Sequence, residues 1–454
     1  MRVVIIGAGV VGYHLAEQLS GEGHEISVVD SDPALVRRLD DRFDVLAVAG
    51  DASSPAVLQR AGVENAALVV AVTNRDETNV LVSLIARKLG AKKRVVRMRN
   101  TELGKAGGVL DLEDLGADVL VNPVSTTAQL LERLVRSPAA TDFAQFADGD
   151  LLLVGFVLSA ESPLNGIKLK DFREKADDLH ALVAGVRRKD ATFVIPRGDD
   201  TLSAGDNLYV FIHRKTIKRF RELVDPGQRP VERLLISGAS QLGVEVARRL
   251  ENRIKNVTLV DPSTEAAEAA SLLLKKTVVL RGEVGDPDFC REYDLGSVDY
   301  HLALADEDET NLLNAMLLDK EGARQTAILA QEPRYLPVLN SLDLGVTINP
   351  RLLTVSSILR HIRRGRIFQV TRVGESGAEA REYAVEKKSP MVGKALKDID
   401  FPGGTILGAI YRGDQYMIPN GDSVLDVDDH VIIFALPHAM ASVEKLFSKR
   451  RLFG

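Results

Sequence analysis

The sequence has no basic excess, only one cysteine and no long apolar run, and each shortage argues against a class of protein. Its 454 residues include 58 lysine plus arginine and 64 aspartate plus glutamate residues, a formal charge of −6. Proteins that neutralise a nucleic-acid backbone carry a basic excess, so we expect no nucleic-acid partner. Cys290 cannot form an internal disulfide, and no CxxC or HExxH spacing offers a metal site. Both facts favour a reducing cytoplasm and a protein without a bound metal.

The apolar segments are too short to cross a membrane. The most apolar windows, AALVVAV and HVIIFAL, have the length of β-strands, far from the ~18 consecutive apolar residues of a membrane helix. The opening MRVVIIGAG runs from a short apolar stretch directly into a glycine turn, which predicts a first strand and not a cleavable signal. We therefore expect no direct membrane insertion, and any contact with a membrane goes through a partner.

The two halves of the chain repeat one pattern. GAGVVG at Gly7–Gly12 recurs as GASQLG at Gly238–Gly243, an offset of 231 (238 − 7). VVD, which ends at Asp30, recurs at the same offset as LVD, which ends at Asp261. A register held over this distance identifies a unit about half the chain long. Four further pairs follow in the same order: DETN from Asp76 and from Asp308, VNP from Val121 and INP from Ile348, SPLNGIKLKD from Ser162 and SPMVGKALKD from Ser389, and IPRGDDTL from Ile195 and IPNGDSVL from Ile418.

Each half predicts an α/β domain followed by a smaller α+β domain. In the first part, short runs such as RVVIIG, HEISVVD and ALVVAV alternate with amphipathic helical stretches, which predicts βαβ crossovers and a doubly wound parallel sheet. In the second part, strands such as LLLVGFVL and NLYVFIH are separated by glycine and aspartate turns. We expect Rossmann-like domains at 1–135 and 232–362, small α+β domains at 142–222 and 367–454, and a linker rich in proline and glycine at 225–232.

A glycine-rich turn follows the first predicted strand and opens a predicted helix, the context that makes GxGxxG a dinucleotide-binding motif. Gly7 permits the tight turn, Gly9 lets the backbone approach a pyrophosphate, and Gly12 allows close packing of helix on strand. The helix N-terminus then faces the phosphate charge. Asp30 ends the second strand, where its carboxylate can accept both ribose hydroxyls and repel a 2′-phosphate. This arrangement favours NAD or an adenine nucleotide over NADP.

Two polar segments follow the third and fourth predicted strands at the same carboxyl edge, where open α/β sheets bind ligands. GDAS supplies Asp51 and Ala52, and TNRDETN supplies Thr73 and Asn74. Ligand contact is one interpretation of these segments. Helix capping is the other, because aspartate, serine, threonine and asparagine are good N-cap residues.

Arg97 and Arg99 are two residues apart in RVVRMR, which predicts that they share one face of the fifth strand. Two guanidinium groups at this position would bind phosphates beyond the reach of the glycine turn. A solvated pair at the edge of the sheet is the alternative.

The second half keeps only part of this set. Gly238, Gly243 and Asp261 are retained, but Ser240 replaces the middle glycine and puts a side chain where backbone should approach a phosphate. The loss of both arginines and the gain of a carboxylate disfavour a polyphosphate. We expect a weakened or altered second site, with retained nucleotide binding left open. The replacements at an offset of 232 are Ala305 and Asp306 for Thr73 and Asn74, and Leu329 and Gln331 for Arg97 and Arg99.

The glycine turn, Asp30, AVTNRDETN, VVRMRN and the repeated small domain with its SP…G…LKD and IPxGD segments resemble the TrkA family, the peripheral subunits of Trk potassium uptake systems. The resemblance covers essentially the whole chain. It implies two RCK units (regulator of conductance of potassium), each with an N-type and a C-type domain, assembled into a ring under a membrane pore subunit. It also implies NAD(H) and ATP or ADP as ligands, held by Gly7, Ala8, Gly9, Val10, Val11, Asp30, Thr73, Asn74 and Arg97.

We therefore expect a nucleotide-sensing regulatory subunit that is cytoplasmic and is held at the inner face of the membrane by a Trk-type potassium channel or transporter subunit. We expect a homo-oligomer, a dimer or a tetramer. An NAD-dependent oxidoreductase is the main alternative, but no paired acid–base set is evident, so we expect no enzyme activity. A regulator of another cation transporter is the third interpretation. The histidines of the small domains are scattered and do not recur at matching positions: His180, His213, His430 and His438.

Overall fold

The chain forms two compact units in the computed structural model. The described residues are 1–454 except 22, 101–102, 105–107, 139, 147–149, 177–178, 191, 228, 343, 363–366, 374–377, 388, 414 and 448–454. The first unit combines residues 1–135 with 231–362, and the second combines 136–230 with 363–454. Each unit therefore takes one part from each half of the repeat. The expected domain boundaries stay predictions, and parts of the expected linker (228) and last domain (including 448–454) lie outside the described residues.

The first unit begins with a six-stranded parallel sheet in the order β3-β2-β1-β4-β5-β6. Its central strands are the Val/Ile/Leu runs of the sequence, and they are buried because helices cover both faces of the sheet. The strand order reverses between β1 and β4, which opens a crevice at their carboxyl ends. The elements are β1 (Arg2–Ile6), α1 (Val10–Gly21), β2 (Glu25–Asp30), α2 (Pro33–Asp40), β3 (Leu46–Ala49), α3 (Pro55–Arg60), β4 (Leu68–Ala71), α4 (Asp76–Leu89), β5 (Arg94–Arg97), β6 (Val119–Val121) and α5 (Pro123–Arg136).

The chain then forms the first small domain, an antiparallel five-stranded sheet in the order β10-β9-β11-β8-β7. The apolar pattern does not predict β7 or β9, because polar residues interrupt one and an Ala-Gly pair interrupts the other. Strand β7 begins at Ala140, ahead of the expected domain start at 142. The elements are β7 (Ala140–Phe146), β8 (Leu151–Val157), α6 (Phe172–Ala176), β9 (Leu182–Arg187), β10 (Phe193–Val194), β11 (Asn207–His213) and α7 (Ile217–Val224).

The second half repeats the Rossmann-like topology, with a six-stranded parallel sheet in the order β14-β13-β12-β15-β16-β17. Its strand pairs match those of the first sheet one for one, which confirms the α/β fold and the repeat expected from the sequence. The elements are β12 (Arg233–Ser237), α8 (Gln241–Leu250), β13 (Asn256–Asp261), α9 (Thr264–Leu273), β14 (Val278–Arg281), α10 (Pro287–Glu292), β15 (Tyr300–Ala303), α11 (Asp308–Glu321), β16 (Thr326–Leu329), α12 (Leu336–Ser341), β17 (Val346–Ile348) and α13 (Pro350–Ile362).

The second small domain is again an antiparallel five-stranded sheet, in the order β18-β19-β22-β20-β21. The two small domains share an apolar cluster. Phe193 stacks on Phe434 with ring centroids 5.9 Å apart. Gly408 is required at this contact, since a Cβ there would lie 2.1 Å from the ring of Phe211. The elements are β18 (Ile367–Val373), β19 (Ala378–Ala384), β20 (Thr405–Arg412), β21 (Gln415–Met417), β22 (His430–Ala435) and α14 (Pro437–Phe447).

The two Rossmann-like domains exchange their last helices. Leu131 of α5 belongs to the apolar cluster of the second domain, together with Leu259 of β13. Ile358 and Leu359 of α13 belong to the cluster of the first domain, together with Leu15 of α1. Burial of such side chains contributes about 1.5–3 kcal/mol each. Because each core is completed by a helix from the other half, the two domains form one structural unit.

The described helices are short. The longest have 14 residues, whereas a bilayer-spanning helix needs about 20. Within the described ranges, no helix has both the length and the apolar character needed to cross a membrane.

One buried histidine distinguishes the second Rossmann-like core from the first. His301 of β15 has no exposed surface and contacts the Ser237 hydroxyl through Nε2 at 3.0 Å, while its Nδ1 has no hydrogen-bond partner. The corresponding residues of the first half are Val69 and Ile6. Burial lowers the pKa of His301 to about 3, so the native protein holds this imidazole neutral.

This burial predicts acid sensitivity. Between the ordinary histidine pKa of about 6.5 and about 3, the unfolded chain binds a proton that native His301 does not, so stability falls as the pH falls through this window. Ser237→Ile combined with His301→Val installs the residues of the first half. Between about pH 7 and about pH 5, the free energy of unfolding of this double variant should fall by about 2 kcal/mol less than that of the wild type. Urea unfolding at both pH values measures this difference. His438→Val, at an exposed position, is the control, and an unaltered pH dependence in the double variant would contradict the assignment.

Candidate functional site

The glycine turn of the first half joins β1 to α1 with the geometry expected of a phosphate-binding turn. Gly7 has a φ of +107°, and its Cα lies so close to the next strand end that a Cβ would be 3.1 Å from the Thr73 nitrogen. A Cβ on Gly12 would lie 1.8 Å from the Gly7 oxygen. Gly9 is exposed and has open space where a Cβ would project. Gly7 and Gly12 are therefore required by close backbone packing, whereas Gly9 leaves the outer side of the turn accessible to a ligand.

Asp30 braces this turn from the end of β2. Its Oδ2 accepts the Ala8 amide at 2.6 Å, and its Oδ1 accepts the Asp32 amide at 2.8 Å. Each carboxylate oxygen keeps a second lone-pair direction, so the same group can also accept a hydroxyl. Asp261 makes the equivalent bonds in the second half, to the amides of Ala239 at 2.6 Å and Ser263 at 2.8 Å. A brace of this kind does not by itself distinguish the two halves.

The interpretation of the polar segments as helix caps is wrong. Asp51 accepts the Ser53 amide at 2.8 Å within its own turn, while α3 is preceded by Ser54, whose side chain makes no capping bond. The bonds from Ser53 lower the pKa of Asp51. Helix α4 is preceded by Arg75, which also makes no side-chain cap, so neither Thr73 nor Asn74 serves as one. These loops end before the helices begin, which leaves their side chains at the sheet edge.

The arginines reach the predicted place by a geometry that the sequence did not predict. Strand β5 ends at Arg97, so Arg99 does not share its strand face. The reason is Asp76, whose Oδ2 accepts the amides of Arg99 and Asn100, both at 2.9 Å, and leads the chain away from the sheet. The guanidinium of Arg97 nevertheless donates to the Thr73 carbonyl at 3.2 Å, and that of Arg99 donates to the Asn74 carbonyl. Both arginines therefore lie over the loop after β4.

Arg97 is the more enclosed of the two arginines. Its Nε is buried without a hydrogen-bond partner. Burial lowers the pKa of its guanidinium, the charge of Arg99 adds to this effect, the Asp76 carboxylate opposes it, and Arg351 adds a smaller contribution. A cation with an unused donor and cationic neighbours is suited to bind an anion.

Asn79 holds these strand ends together, a role that motif reasoning missed. Its side chain is fully buried; Oδ1 accepts from the Thr73 amide at 2.9 Å and the Thr73 hydroxyl at 2.7 Å. Its Nδ2 donates to the carbonyls of Thr73 at 3.2 Å and Arg97 at 2.9 Å. Asn311 makes matching bonds to Ala305 and to the Leu329 carbonyl. The repetition of DETN in both halves was the available sequence signal. It marks an asparagine that holds strand ends together and not one that binds a ligand.

The second half has the same scaffold with a blocked turn. The Ser240 hydroxyl accepts the Gly243 amide at 3.4 Å and donates to the Leu304 carbonyl at 3.3 Å, so it caps α8. This cap occupies the helix end that Gly9 leaves open in the first half. Gln331 donates to the Asp306 carbonyl at 2.9 Å, in the place of Arg99. The weakened or altered second site expected from the sequence stays a prediction, with retained nucleotide binding left open.

The predicted residues of the first half line up along the carboxyl edge in strand order. After β3 come Asp51 and Ala52, and Asp30 ends β2. The glycine turn follows β1, Thr73 and Asn74 follow β4, and Arg97 ends β5. Ala8 lies in the turn and is buried, whereas Val10 and Val11 are the first two residues of α1, the former partly exposed and the latter buried. An extended ligand would meet the carboxylates, then the helix N-terminus, then the arginines. The counterpart residues Gly238, Ser240, Gly243 and Asp261 lie on the corresponding edge of the second sheet.

The histidines of the small domains do not converge. His213 stacks on Tyr416 with centroids 5.1 Å apart, and burial lowers its pKa. His430 contacts Glu382 at 2.8 Å within the sheet. Among the residues that the structure describes, no group of three or more histidine, cysteine or acidic side chains is arranged to hold a metal.

The whole chain is similar to potassium uptake proteins. The TrkA-N domain family matches residues 3–123 and 234–350, and the TrkA-C domain family matches 153–225 and 380–448. The Trk system potassium uptake protein TrkA of Vibrio alginolyticus is 33% identical over 459 residues and covers 100% of both chains. The Trk system potassium uptake protein TrkA of Halomonas elongata is 32% identical and covers 98% of both chains.

Solved structures of RCK proteins share the fold. The crystal structure of the GsuK RCK domain aligns with a TM-score of 0.61 at 16% identity, over 98% of this chain and 94% of that one. The GsuK channel bound to NAD aligns with a TM-score of 0.60 at 16% identity, over 98% of this chain and 78% of that one. At this identity the likeness concerns the fold alone.

The asparagine brace predicts a large loss of stability on truncation. Asn79→Ala removes four hydrogen bonds, among them those to the part-buried Thr73 amide and Arg97 carbonyl. It should lower the free energy of unfolding by about 2–4 kcal/mol. Asn311→Ala should cost a similar amount, whereas Asn65→Ala, at an exposed position, should cost little. Urea unfolding measures all three, and equal effects of Asn79→Ala and Asn65→Ala would refute the role of the brace.

Proposed function

The chain belongs to the TrkA family of Trk potassium uptake proteins, and on this basis we propose that it is a nucleotide-sensing regulatory subunit that controls a Trk-type membrane pore. The carboxyl edge of the first Rossmann-like sheet carries this proposal. Among the described residues, an accessible glycine turn lies there between a strand-end carboxylate, Asp30, and an arginine pair, Arg97 and Arg99. The second half keeps the scaffold and the strand-end carboxylate, Asp261, but replaces the open glycine and both arginines.

The ligands are adenine nucleotides, NAD(H) and ATP or ADP, bound by the first half. The two oxygens of Asp30 accept the ribose hydroxyls, and the start of α1 faces the phosphates. Arg97 and Arg99 bind phosphates that extend past the glycine turn towards β5. Nucleotides whose phosphates extend different distances past the glycine turn bind the arginines differently, and they therefore stabilise different arrangements of the unit.

The protein regulates and does not catalyse. The relatives that match over the full length are named for potassium uptake, and the shared helices join this edge directly to a second Rossmann-like domain. A coupling free energy of about 1–3 kcal/mol between nucleotide site and pore is the usual scale for such control.

The chain assembles with copies of itself into a cytoplasmic ring on the pore subunit. Exposed apolar side chains recur at matching positions of α4 and α11, namely Leu81 and Leu84 in the first half and Leu313 and Met316 in the second. Leu313 is 63% exposed and Leu81 is 42% exposed. Repeated apolar patches on a charged protein are typical of contact surfaces between subunits. The ring is a dimer or a tetramer of this chain.

Nucleotide binding should depend on Asp30 more than on its structural equivalent. Asp30→Ala should weaken both NADH and ATP by a factor of ten or more, since hydrogen bonds to a charged group are worth about 1.5–3 kcal/mol. Asp261→Ala removes the same brace from the second half and is the matched control for damage to the turn. Calorimetric titration of the full chain measures both variants. Equal losses, or no loss with Asp30→Ala, would contradict ribose recognition by Asp30.

Membrane association should require both the pore subunit and the ring. Expressed alone, the wild-type chain should remain in the soluble fraction; with a co-expressed Trk-type membrane subunit it should sediment with membranes. Leu81→Glu combined with Leu313→Glu should yield a smaller particle in size-exclusion chromatography and abolish sedimentation. Lys92→Glu, also exposed, is the control. Sedimentation without the membrane subunit, or none in its presence, would rule out this role.

A further inference from the structure

The second Rossmann-like domain reaches the nucleotide edge of the first. Gln241, the first residue of α8, donates from Nε2 to the Arg99 carbonyl at 3.4 Å. Helix α13 of the second half also packs on α1, the helix that begins at the glycine turn. Two elements of the second half therefore lie beside the proposed site of the first.

Arg351 lies on the contacting face of α13. It is one turn ahead of Val355 and two turns ahead of Ile358, and both of these side chains are buried in the core of the first domain. Residues at this spacing share one side of a helix. Asn349 fixes the start of α13 by donating to the Ala330 carbonyl at 2.8 Å and accepting the Leu352 amide at 2.9 Å. Arg351 thus lies at an anchored helix end, on the side of α13 that packs against the first domain.

Arg351 adds a third cation to the surroundings of Arg97. Lys93, just before β5, donates from Nζ to the carbonyl of His361 near the end of α13 at 2.8 Å, so the opposite end of α13, with Arg351, lies towards the carboxyl end of β5, where Arg97 stands. Burial lowers the pKa of Arg97 most and the charge of Arg99 adds to this, the Asp76 carboxylate opposes it, and the charge of Arg351 makes the smallest contribution. Arg351 itself pairs with Glu332, Nη1 to Oε1 at 2.5 Å, and both side chains are partly exposed. Like charges gathered around a buried donor are stabilised when an anion binds between them.

The core of the second Rossmann-like domain contains apolar side chains at the two positions that correspond to Arg97 and Arg351. Val124 corresponds to Arg351, because VNP and INP align, and Leu329 corresponds to Arg97. Leu329 is buried in the core of the second domain, and Val124 packs against the same apolar cluster. The equivalent positions are thus both apolar at one edge and both cationic at the other.

We propose that Arg351 of the second Rossmann-like domain completes the polyphosphate end of the nucleotide site in the first. Without nucleotide, Glu332 holds Arg351; a terminal phosphate that extends past the glycine turn takes over this partner. The inference rests on the proposed nucleotide site and adds to it a group that responds to phosphate chain length. It also makes one bound nucleotide touch both halves of the chain.

The test is the affinity of the full chain for ATP and NADH. Arg351→Val, which installs the residue of the first half, should weaken ATP tenfold or more and change NADH less than twofold. Glu332→Gln frees Arg351 and should tighten ATP several-fold, a gain that misfolding would not produce. Arg334→Val removes an exposed arginine from the same segment and should leave both affinities unchanged.

The outcomes separate this inference from the proposed function. If Arg351→Val leaves ATP binding intact while Arg97→Ala weakens it, the nucleotide site stands and Arg351 is not part of it. Equal loss of ATP and NADH in Arg351→Val, or no gain in Glu332→Gln, also overturns the inference. If neither Asp30→Ala nor Arg97→Ala alters binding of either nucleotide, the proposed site itself fails.

Discussion

The exchange of helices between the two Rossmann-like domains is the constraint on which the rest of the structure depends. A helix from each half covers a sheet face of the other, so neither domain buries its own core without its partner. Apolar burial by itself favours no particular direction. Here α5 and α13 each begin at a strand end, so burying these two helices also determines which surfaces of the two domains face one another. The same packing that completes the cores brings Gln241 and α13 to the nucleotide edge of the first domain.

On this shared framework the two halves differ in chemistry rather than in geometry. Asp30 and Asp261 brace their turns with equivalent bonds, and Asn79 and Asn311 do the same for the neighbouring strand ends. Among the groups aimed at a ligand, the open glycine and both arginines are not repeated. A buried polar scaffold is costly to alter, since each lost bond leaves a backbone group unsatisfied, whereas exposed groups at the rim change at little cost. One edge therefore became a cap closed by Ser240 while the other stayed open.

An arrangement with one open edge suits a regulatory subunit better than an enzyme. In the proposed function, a ligand at the first edge would bind arginines beside elements of both domains, so occupancy would alter the interactions between the domains. The arrangement that a nucleotide favours is the one in which its contacts are stronger.

The sequence alone determined the fold class, the repeat and the order of binding groups along the sheet edge. Strand periodicity and the glycine turn are local signals, and the offset of 231 to 232 residues carried them from one half to the other. Strand ends and side-chain partners were less predictable. Arg99 leaves the strand because the Asp76 carboxylate, 23 residues earlier, takes its amide, and neither Thr73 nor Asn74 caps a helix because α4 starts later than the polar segment suggests. The packing of α13 on α1, which brings the start of the second half's last helix beside the first domain, was decided only by tertiary structure. Residues so far apart in sequence meet through the packing of α13 on α1, and no local pattern encodes which helix closes which core.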